Sequence, residues 1–399
     1  VAGPGFPRRL AVLGSTGSIG RQALDVVRAH RDAFTVVGLA AGHASRVFLS
    51  QVDEFAPAYA GISRGPGEDT STTLGLTPGC VMLQGDDAAV RVVEESGPDL
   101  VLDAVTGFVG LRPALAALRQ GCLLAMAAKE AIVTAAHLLK EAAGEGQGEI
   151  VPVDGEPRAV LECLRGPHSR DDLRRVYLTA SGGPFWGRTR TDFERATPVE
   201  ALRHPCWTMG PKISVDSATL FNKGLEVLEI ALLLDLPVDL IEVIVQPQSV
   251  VHSLVEFRDG SMLGQLGPRD MRVAIGQALF HPWRAPSSPS RLQLKGLCLQ
   301  FEEPVLDDWP CLAVAVEAGR LGGTMPAAIS AADEELVALF LQDRIPLGTI
   351  GRGLQAAFAA HLSFAQEAGR FPPLERLVAA DAWARGFVRE WCESEGAVL

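Results

Sequence analysis

The feature that most constrains this chain is a short apolar stretch that runs straight into three spaced glycines. Arg9-Leu-Ala-Val-Leu13 reads as a buried strand, and Gly14-Ser-Thr-Gly17-Ser-Ile-Gly20 follows at once. Arg21–His30 then carries Leu24, Val26 and Val27 at helical spacing among charged residues. Strand, glycine turn and helix make the first βα unit of a doubly wound sheet. The amides of the turn and of the helix N-terminus form a ready anion site. The spacing is G-x-x-G-x-x-G rather than G-x-G-x-x-G. By itself the turn leaves open whether it cradles a dinucleotide or only reverses the chain.

Three more buried strands are expected at Phe34–Leu39, Leu100–Ala104 and Cys122–Ala127, alternating with helical stretches such as Arg112–Gln120. That rhythm predicts a Rossmann-like parallel sheet with helices on both faces. The second strand ends in Ala41-Gly42-His43-Ala44-Ser45-Arg46. No acid stands there to bind a ribose 2′-hydroxyl, and His43 and Arg46 favour a 2′-phosphate, hence NADP over NAD. Ordinary surface polarity is the alternative at those two positions.

Beyond residue 150 the pattern changes. Ile150-Val-Pro-Val-Asp154-Gly-Glu156 reads as a strand ending in two carboxylates, which alternation places on one face. Strands at Arg175–Ala180, Leu240–Gln246 and Val250–Phe257 follow, and Asp259-Gly260 predicts a hairpin into Ser261–Leu266. An α+β catalytic domain is expected. From Leu312 onward the chain is rich in Ala and Leu with helical periodicity, which predicts a C-terminal helical domain. Gly65–Gly79 and Ser287-Ser-Pro-Ser290 read as loops.

A chain of 399 residues has room for two or three cores. The net charge of −12 disfavours nucleic-acid binding, which needs a basic footprint. It does not oppose a small anionic substrate held by a few local lysines. No apolar run reaches membrane-spanning length, and no signal-peptide core precedes the first strand, so a cytoplasmic location is expected. The seven cysteines are scattered without a C-x-x-C pair, so neither a disulfide framework nor a zinc knuckle is expected.

The densest chemistry lies in Met209-Gly-Pro-Lys-Ile-Ser-Val-Asp-Ser-Ala-Thr-Leu-Phe-Asn-Lys-Gly-Leu-Glu226. It offers the hydroxyls of Ser214 and Ser217, the Asn222 amide, the Lys223 ammonium and the Glu226 carboxylate. Together with Asp154 and Glu156, Glu226 makes an oxygen-only set suited to a hard divalent cation such as magnesium or manganese. Such an ion acts as a Lewis acid on a carbonyl and orients neighbouring hydroxyls. Ser181-Gly182-Gly183 follows a strand end and can join Ser217, Asn222 and Lys223 around a phosphate. His204 reaches the same group, and Trp207, in a polar stretch between elements, can cover a ligand. Lys129-Glu130 follows the fourth strand, at the carboxyl edge where doubly wound sheets bind ligands. Each of these fragments alone is also compatible with a plain turn, a packed loop or a surface pair.

In this order the segments resemble the 1-deoxy-D-xylulose 5-phosphate reductoisomerases. The resemblance rests on Gly14–Gly20, Lys129-Glu130, Asp154-x-Glu156, Ser181–Phe185, His204-Pro-x-Trp207-x-Met-Gly210, Lys212–Glu226 and Pro247–Ser253, with a weaker match over Ala328–Phe340. It implies isomerisation of the substrate to a branched aldehyde phosphate, reduced by NADPH to 2-C-methyl-D-erythritol 4-phosphate in the non-mevalonate route to isoprenoids. It implies Asp154, Glu156 and Glu226 as ligands of a divalent ion, manganese or magnesium, with cobalt a further candidate. Lys129, Gly155, Glu156, Ser181, His204, Trp207, Ser217, Asn222, Lys223 and Glu226 would meet substrate. Lys129, Asp154, Glu156 and Glu226 would be catalytic. Gly14, Thr16, Gly17, Ser18, Ile19, Gly42, His43, Ala44, Arg46, Ala128, Glu130 and Gly210 would face NADPH. The resemblance further implies a homodimer and a division into residues 1–153 for NADPH, 154–285 for catalysis and the dimer interface, a linker at 286–311 and the helical domain at 312–399. A lid would span 201–211. The chain departs from the usual pattern where Ala128 and Ala131 flank Lys129-Glu130, where Gly155 and Pro157 flank Glu156, and at His43-Ala44.

Overall fold

The computed structural model describes residues 5–63, 79–166 and 170–394. The loop expected at Gly65–Gly79 therefore falls, except for Gly79, outside the described residues, as do residues 1–4. The chain divides into two compact units. The first comprises 1–131, 138–158 and 270–291, and the second comprises 132–137, 159–269 and 292–399.

The first unit is built on seven parallel strands: β1 (Arg8–Leu13), β2 (Phe34–Ala41), β3 (Tyr59–Ile62), β4 (Val81–Gln84), β5 (Leu100–Asp103), β6 (Leu123–Met126) and β7 (Glu149–Pro152). Their order is β4-β3-β2-β1-β5-β6-β7, so the chain winds outward in both directions from the β1/β5 junction. Ligands of such sheets bind outside the carboxyl ends of the strands at this reversal. Leu10, Val12, Leu39, Leu100 and Leu102 are wholly buried, as a central parallel strand covered on both faces requires. β3 and β4 are too short to stand out by periodicity and were not expected.

Helices Ser18–Ala29, Arg46–Phe55, Ala88–Ser96 and Leu111–Arg119 cover the sheet, and a late helix, Met271–Leu279, returns to pack against Ser18–Ala29. Phe34 meets Phe280 edge-on with ring centroids 5.0 Å apart. Ile275, Ala278, Leu279 and Phe280 join the core of the first unit, although they are distant in sequence from β1.

The second unit holds a four-stranded sheet of order β11-β10-β8-β9, formed by β8 (Leu173–Ala180), β9 (Ile241–Val245), β10 (Val251–Phe257) and β11 (Met262–Leu266). β8 runs parallel to β9 and antiparallel to β10, and the expected Asp259-Gly260 hairpin joins β10 to β11. The helix Phe221–Leu234 packs against Pro310–Leu321. Helices Met325–Leu341, Leu347–Ala368 and Leu374–Ser394 pack on one another, with Leu336, Leu354, Leu377 and Val388 buried, giving the helical C-terminal region.

One local expectation is corrected. β7 stops at Pro152, and Gly155–Cys163 is a helix. Asp154 therefore precedes a helix and Glu156 lies in its first turn, rather than both alternating along a strand. Acids at a helix N-terminus complement its dipole, which is the physical reason this sequence turns helical here.

Candidate active site

In the first unit the glycine turn is held by sterics. Gly14 has φ +73°, and a Cβ on it would lie 2.4 Å from the Ala104 carbonyl oxygen. A Cβ on Gly20 would lie 2.3 Å from the Gly14 oxygen. Only glycine permits β1 to turn this tightly into the helix. Ser15 donates its hydroxyl proton to Gln51 Oε1 at 2.8 Å, and Gln51 Nε2 donates to the Ser15 carbonyl at 2.8 Å, which fastens the turn to the helix after β2. Gly17 and Ser18 are exposed at the helix N-terminus, and Thr16 and Ile19 are half-buried beside them. At the end of β2, Gly42, His43 and Arg46 are exposed while Ala44 is buried in the core. The Ala44 side chain therefore supports the loop from below.

Lys129 and Glu130 open a helix directly after β6, and both are buried, as is Ala128. The Lys129 ammonium pairs with Asp154 Oδ2. Asp154 Oδ1 accepts the Gly155 N–H at 2.8 Å, so the backbone of Gly155 serves the site although it has no side chain. Glu156 is half-buried one residue further on.

The second unit gathers the remaining residues. Ser181 lies just past β8, and Ser181 Oγ is 2.9 Å from His204 Nε2. His204 Nδ1 accepts the backbone N–H groups of Cys206 at 3.1 Å and Trp207 at 2.9 Å. A nitrogen accepting two donors carries no proton, so Nε2–H donates to Ser181. Burial pushes the His204 pKa down to about 4, which keeps this neutral tautomer through the physiological range. The segment is anchored again by Trp207 Nε1, which donates to Ser249 Oγ at 3.1 Å. Residues 202–210 form no helix or strand and lead to Gly210, the N-cap of the helix Pro211–Ala218.

Ser214 donates to the Gly210 carbonyl at 2.9 Å, so its hydroxyl is used within that helix. Ser217 is half-buried near its end. A Cβ on Gly183 would lie 2.6 Å from the Ser217 carbonyl oxygen, so the Ser181–Gly183 turn rests on Ser217. Asn222, Lys223 and Glu226 share one face of the helix Phe221–Leu234, as i, i+3 and i, i+4 spacing dictates. Asn222 Nδ2 donates to Glu226 Oε1 at 2.5 Å, and Lys223 pairs with Glu226 Oε2. Lys223 and Glu226 are both buried. A cavity of about 500 Å³ opens beside Ser181, lined also by Gly183, Trp186, Arg188, Arg203 and Pro247.

Sequence reasoning assigned no role to His252. It lies on β10, and burial first and the Lys223 charge second push its pKa down to about 4, so it belongs to the Lys223 neighbourhood. Its only signal in sequence is its position within Pro247–Ser253. Asp103 and the Asp216–Asp333 pair also went unremarked, because nothing local marks an acid whose burial arises from distant elements.

A parallel sheet that reverses order at a glycine turn defines a doubly wound α/β protein of the dinucleotide-binding class. A family model for 1-deoxy-D-xylulose 5-phosphate reductoisomerase matches residues 10–136; two further models, for C-terminal domains of that enzyme, match 150–234 and 266–387. The reductoisomerase of Chlorobium phaeovibrioides is 41% identical over 380 residues, covering 95% of this chain and 97% of the relative. That of Heliobacterium modesticaldum is 42% identical over 388 residues, covering 96% and 97%. A solved reductoisomerase in complex with NADPH, fosmidomycin and magnesium superposes with TM-score 0.89 at 35% identity, covering 96% of this chain and 98% of that one. The Zymomonas mobilis enzyme in complex with NADPH gives 0.86 at 35% identity, covering 97% of this chain and 100% of that one. The chain belongs to the 1-deoxy-D-xylulose 5-phosphate reductoisomerase family.

Proposed function

We propose that this chain isomerises and reduces 1-deoxy-D-xylulose 5-phosphate to 2-C-methyl-D-erythritol 4-phosphate with NADPH and a divalent metal. The observation that carries the reading is family likeness along nearly the whole chain, which itself carries Lys129, Asp154, Glu156, Lys223 and Glu226. Asp154, Glu156 and Glu226 are the metal's ligands in this reading. Three carboxylates fit a hard cation, and magnesium or manganese suits them. When bound, the ion supplies Lewis acidity to the ketone and hydroxyl oxygens, and NADPH supplies the hydride.

The protein's own groups do the rest. Ser181, Ser217, Asn222 and Lys223 hold the phosphate, with Lys223 as the point charge and the others as directional partners. His204 orients Ser181 by donating to it, which leaves the serine hydroxyl proton available to a phosphate oxygen. Lys129 pairs with Asp154 and lies at the sheet edge where substrate meets cofactor. Gly14, Thr16, Gly17, Ser18 and Ile19 present the turn and helix terminus to the pyrophosphate. Gly42, His43 and Arg46 face the 2′-phosphate, with Ala44 beneath them. Ala128, Glu130 and Gly210 complete the cofactor side. The segment 201–211, carrying Trp207, covers the bound substrate and excludes water.

A cytoplasmic homodimer is part of the same proposal. Among the described residues no helix is long and apolar enough to cross a membrane. β11 is the sheet's outer strand, with Met262, Leu263 and Leu266 exposed, as a two-fold sheet-edge contact would use. Sedimentation of the purified chain tests the dimer. Purified protein incubated with NADPH, manganese or magnesium, and 1-deoxy-D-xylulose 5-phosphate tests the reaction. NADPH consumption with the product identified by mass is the expected result; no consumption with either metal refutes it.

A further inference from the structure

The first turn of the helix Pro211–Ala218 carries a lysine that the phosphate and metal assignments leave unused. Lys212 Nζ lies 2.5 Å from Asp216 Oδ2 one turn along its own helix, and 3.1 Å from Asp333 Oδ2 on the helix Met325–Leu341. Asp216 and Asp333 are essentially sealed from solvent, with side chains 2% and 0% exposed. The ammonium also sits 5.7 Å from the centroid of the Phe221 ring. With both buried carboxylates ionised, their mutual repulsion in a dry site is strongly unfavourable. A single proton held between the two acids removes it. In keeping with this, burial first and Asp216 second push the Asp333 carboxyl well above its usual range, while Lys212 pulls it down. Among the described residues, the titratable groups placed together here include Lys212 and Asp216 on one helix, Asp333 on the second and the Cys311 thiol on a third, Pro310–Leu321.

We propose that Lys212 and Asp333 are positioning residues: the ammonium pins the helix Pro211–Ala218 to Met325–Leu341 and thereby sets where Gly210 and Ser217 stand. Lys212 and Asp216 lie on the anchored face by their i, i+4 spacing. Ser217 is the next residue and projects about 100° away from Asp216, off the clamp. Gly210 precedes the same turn as its N-cap. Fixing one face of an eight-residue helix thus fixes both groups. The inference rests on the proposed phosphate role of Ser217 and cofactor role of Gly210.

The test uses the full chain with Lys212→Met, Lys212→Arg and Asp333→Asn, each checked for cooperative thermal unfolding. In Lys212→Met, KM for 1-deoxy-D-xylulose 5-phosphate rises about tenfold or more with a smaller change in kcat, and the Kd for NADPH rises too. Lys212→Arg restores both to within about threefold. In the wild type, KM climbs as rising pH ionises Asp333 and brings that repulsion into the clamp; in Asp333→Asn that climb is absent. A folded Lys212→Met protein with wild-type KM and NADPH Kd overturns the proposal. So do superimposable KM profiles of wild type and Asp333→Asn, which decide the matter if Lys212→Met does not fold. If the wild type consumes no NADPH, the assigned reaction fails instead, and NADPH Kd alone reads the clamp.

Discussion

Asp103 is the residue whose replacement the structure predicts most sharply. It ends β5, pairs in register with Leu13 on β1, and is wholly buried. Oδ1 accepts the Val105 N–H at 3.0 Å, while Oδ2 has no hydrogen-bond partner among the described residues. Burial pushes its pKa from 3.8 up to about 7, with the Val105 bond pulling weakly the other way. The folded protein therefore keeps this proton at pH values where the unfolded chain has lost it. Stability is undiminished below about pH 4, falls as pH rises toward 7, and stays at its lowest above that. At about 1.4 kcal/mol per pH unit the full loss is about 4 kcal/mol. Asp103→Asn keeps the shape and the Oδ1 acceptor and cannot ionise. Its new N–H₂ group points into the space where a Cβ on Gly110 would sit 3.1 Å from the Val105 oxygen and 3.2 Å from Asp103 Oδ2. Urea unfolding of both proteins at pH 5 and pH 8 measures the effect. The variant is expected to gain about 2–4 kcal/mol on wild type at pH 8 and clearly less at pH 5. A wild-type-minus-variant difference that does not change with pH refutes the reasoning.

Three further outcomes follow from the site. Glu226→Gln removes one carboxylate from the proposed metal set and is expected to lower turnover at least about a hundredfold, with divalent-ion affinity falling in calorimetry. Gly14→Ala forces a Cβ to 2.4 Å from the Ala104 oxygen at positive φ, costing about 2 kcal/mol or more in thermal stability and weakening NADPH binding measured by fluorescence. His252 is held neutral with a pKa of about 4 against 6.5 unfolded, so its contribution is complete above pH 6.5 and lost as pH falls through 4. In His252→Asn this acid sensitivity shrinks by about 3 kcal/mol between pH 7 and pH 4, read from denaturant midpoints.

Much of the candidate site's local structure was legible because its signals are local. The Gly14–Gly20 turn, the strand ends bearing Ser181 and Lys129, and the Asn222–Glu226 helical face follow from short-range sterics and a 3.6-residue period. Glu156 was misplaced on a strand because Ile150–Val153 carries a real strand pattern, and the switch to helix two residues later depends on what the acids cap. β3 and β4 escaped notice because four-residue strands borrow their stability from neighbours in the sheet.

By itself, then, the sequence determined the doubly wound beginning, the hairpin and helical tail, and the residue types able to hold a phosphate and a metal. Those depend on backbone sterics, periodicity and side-chain chemistry, which are written position by position. Only the tertiary structure decided that Met271–Leu279 returns to the first core, that His204 carries its proton on Nε2, that Asp103 is buried with no partner for Oδ2 among the described residues, and that Lys212 stands between Asp216 and Asp333. Each of these is a property of desolvation and of contacts between distant segments, and a charge in water and the same charge in a core are chemically different groups.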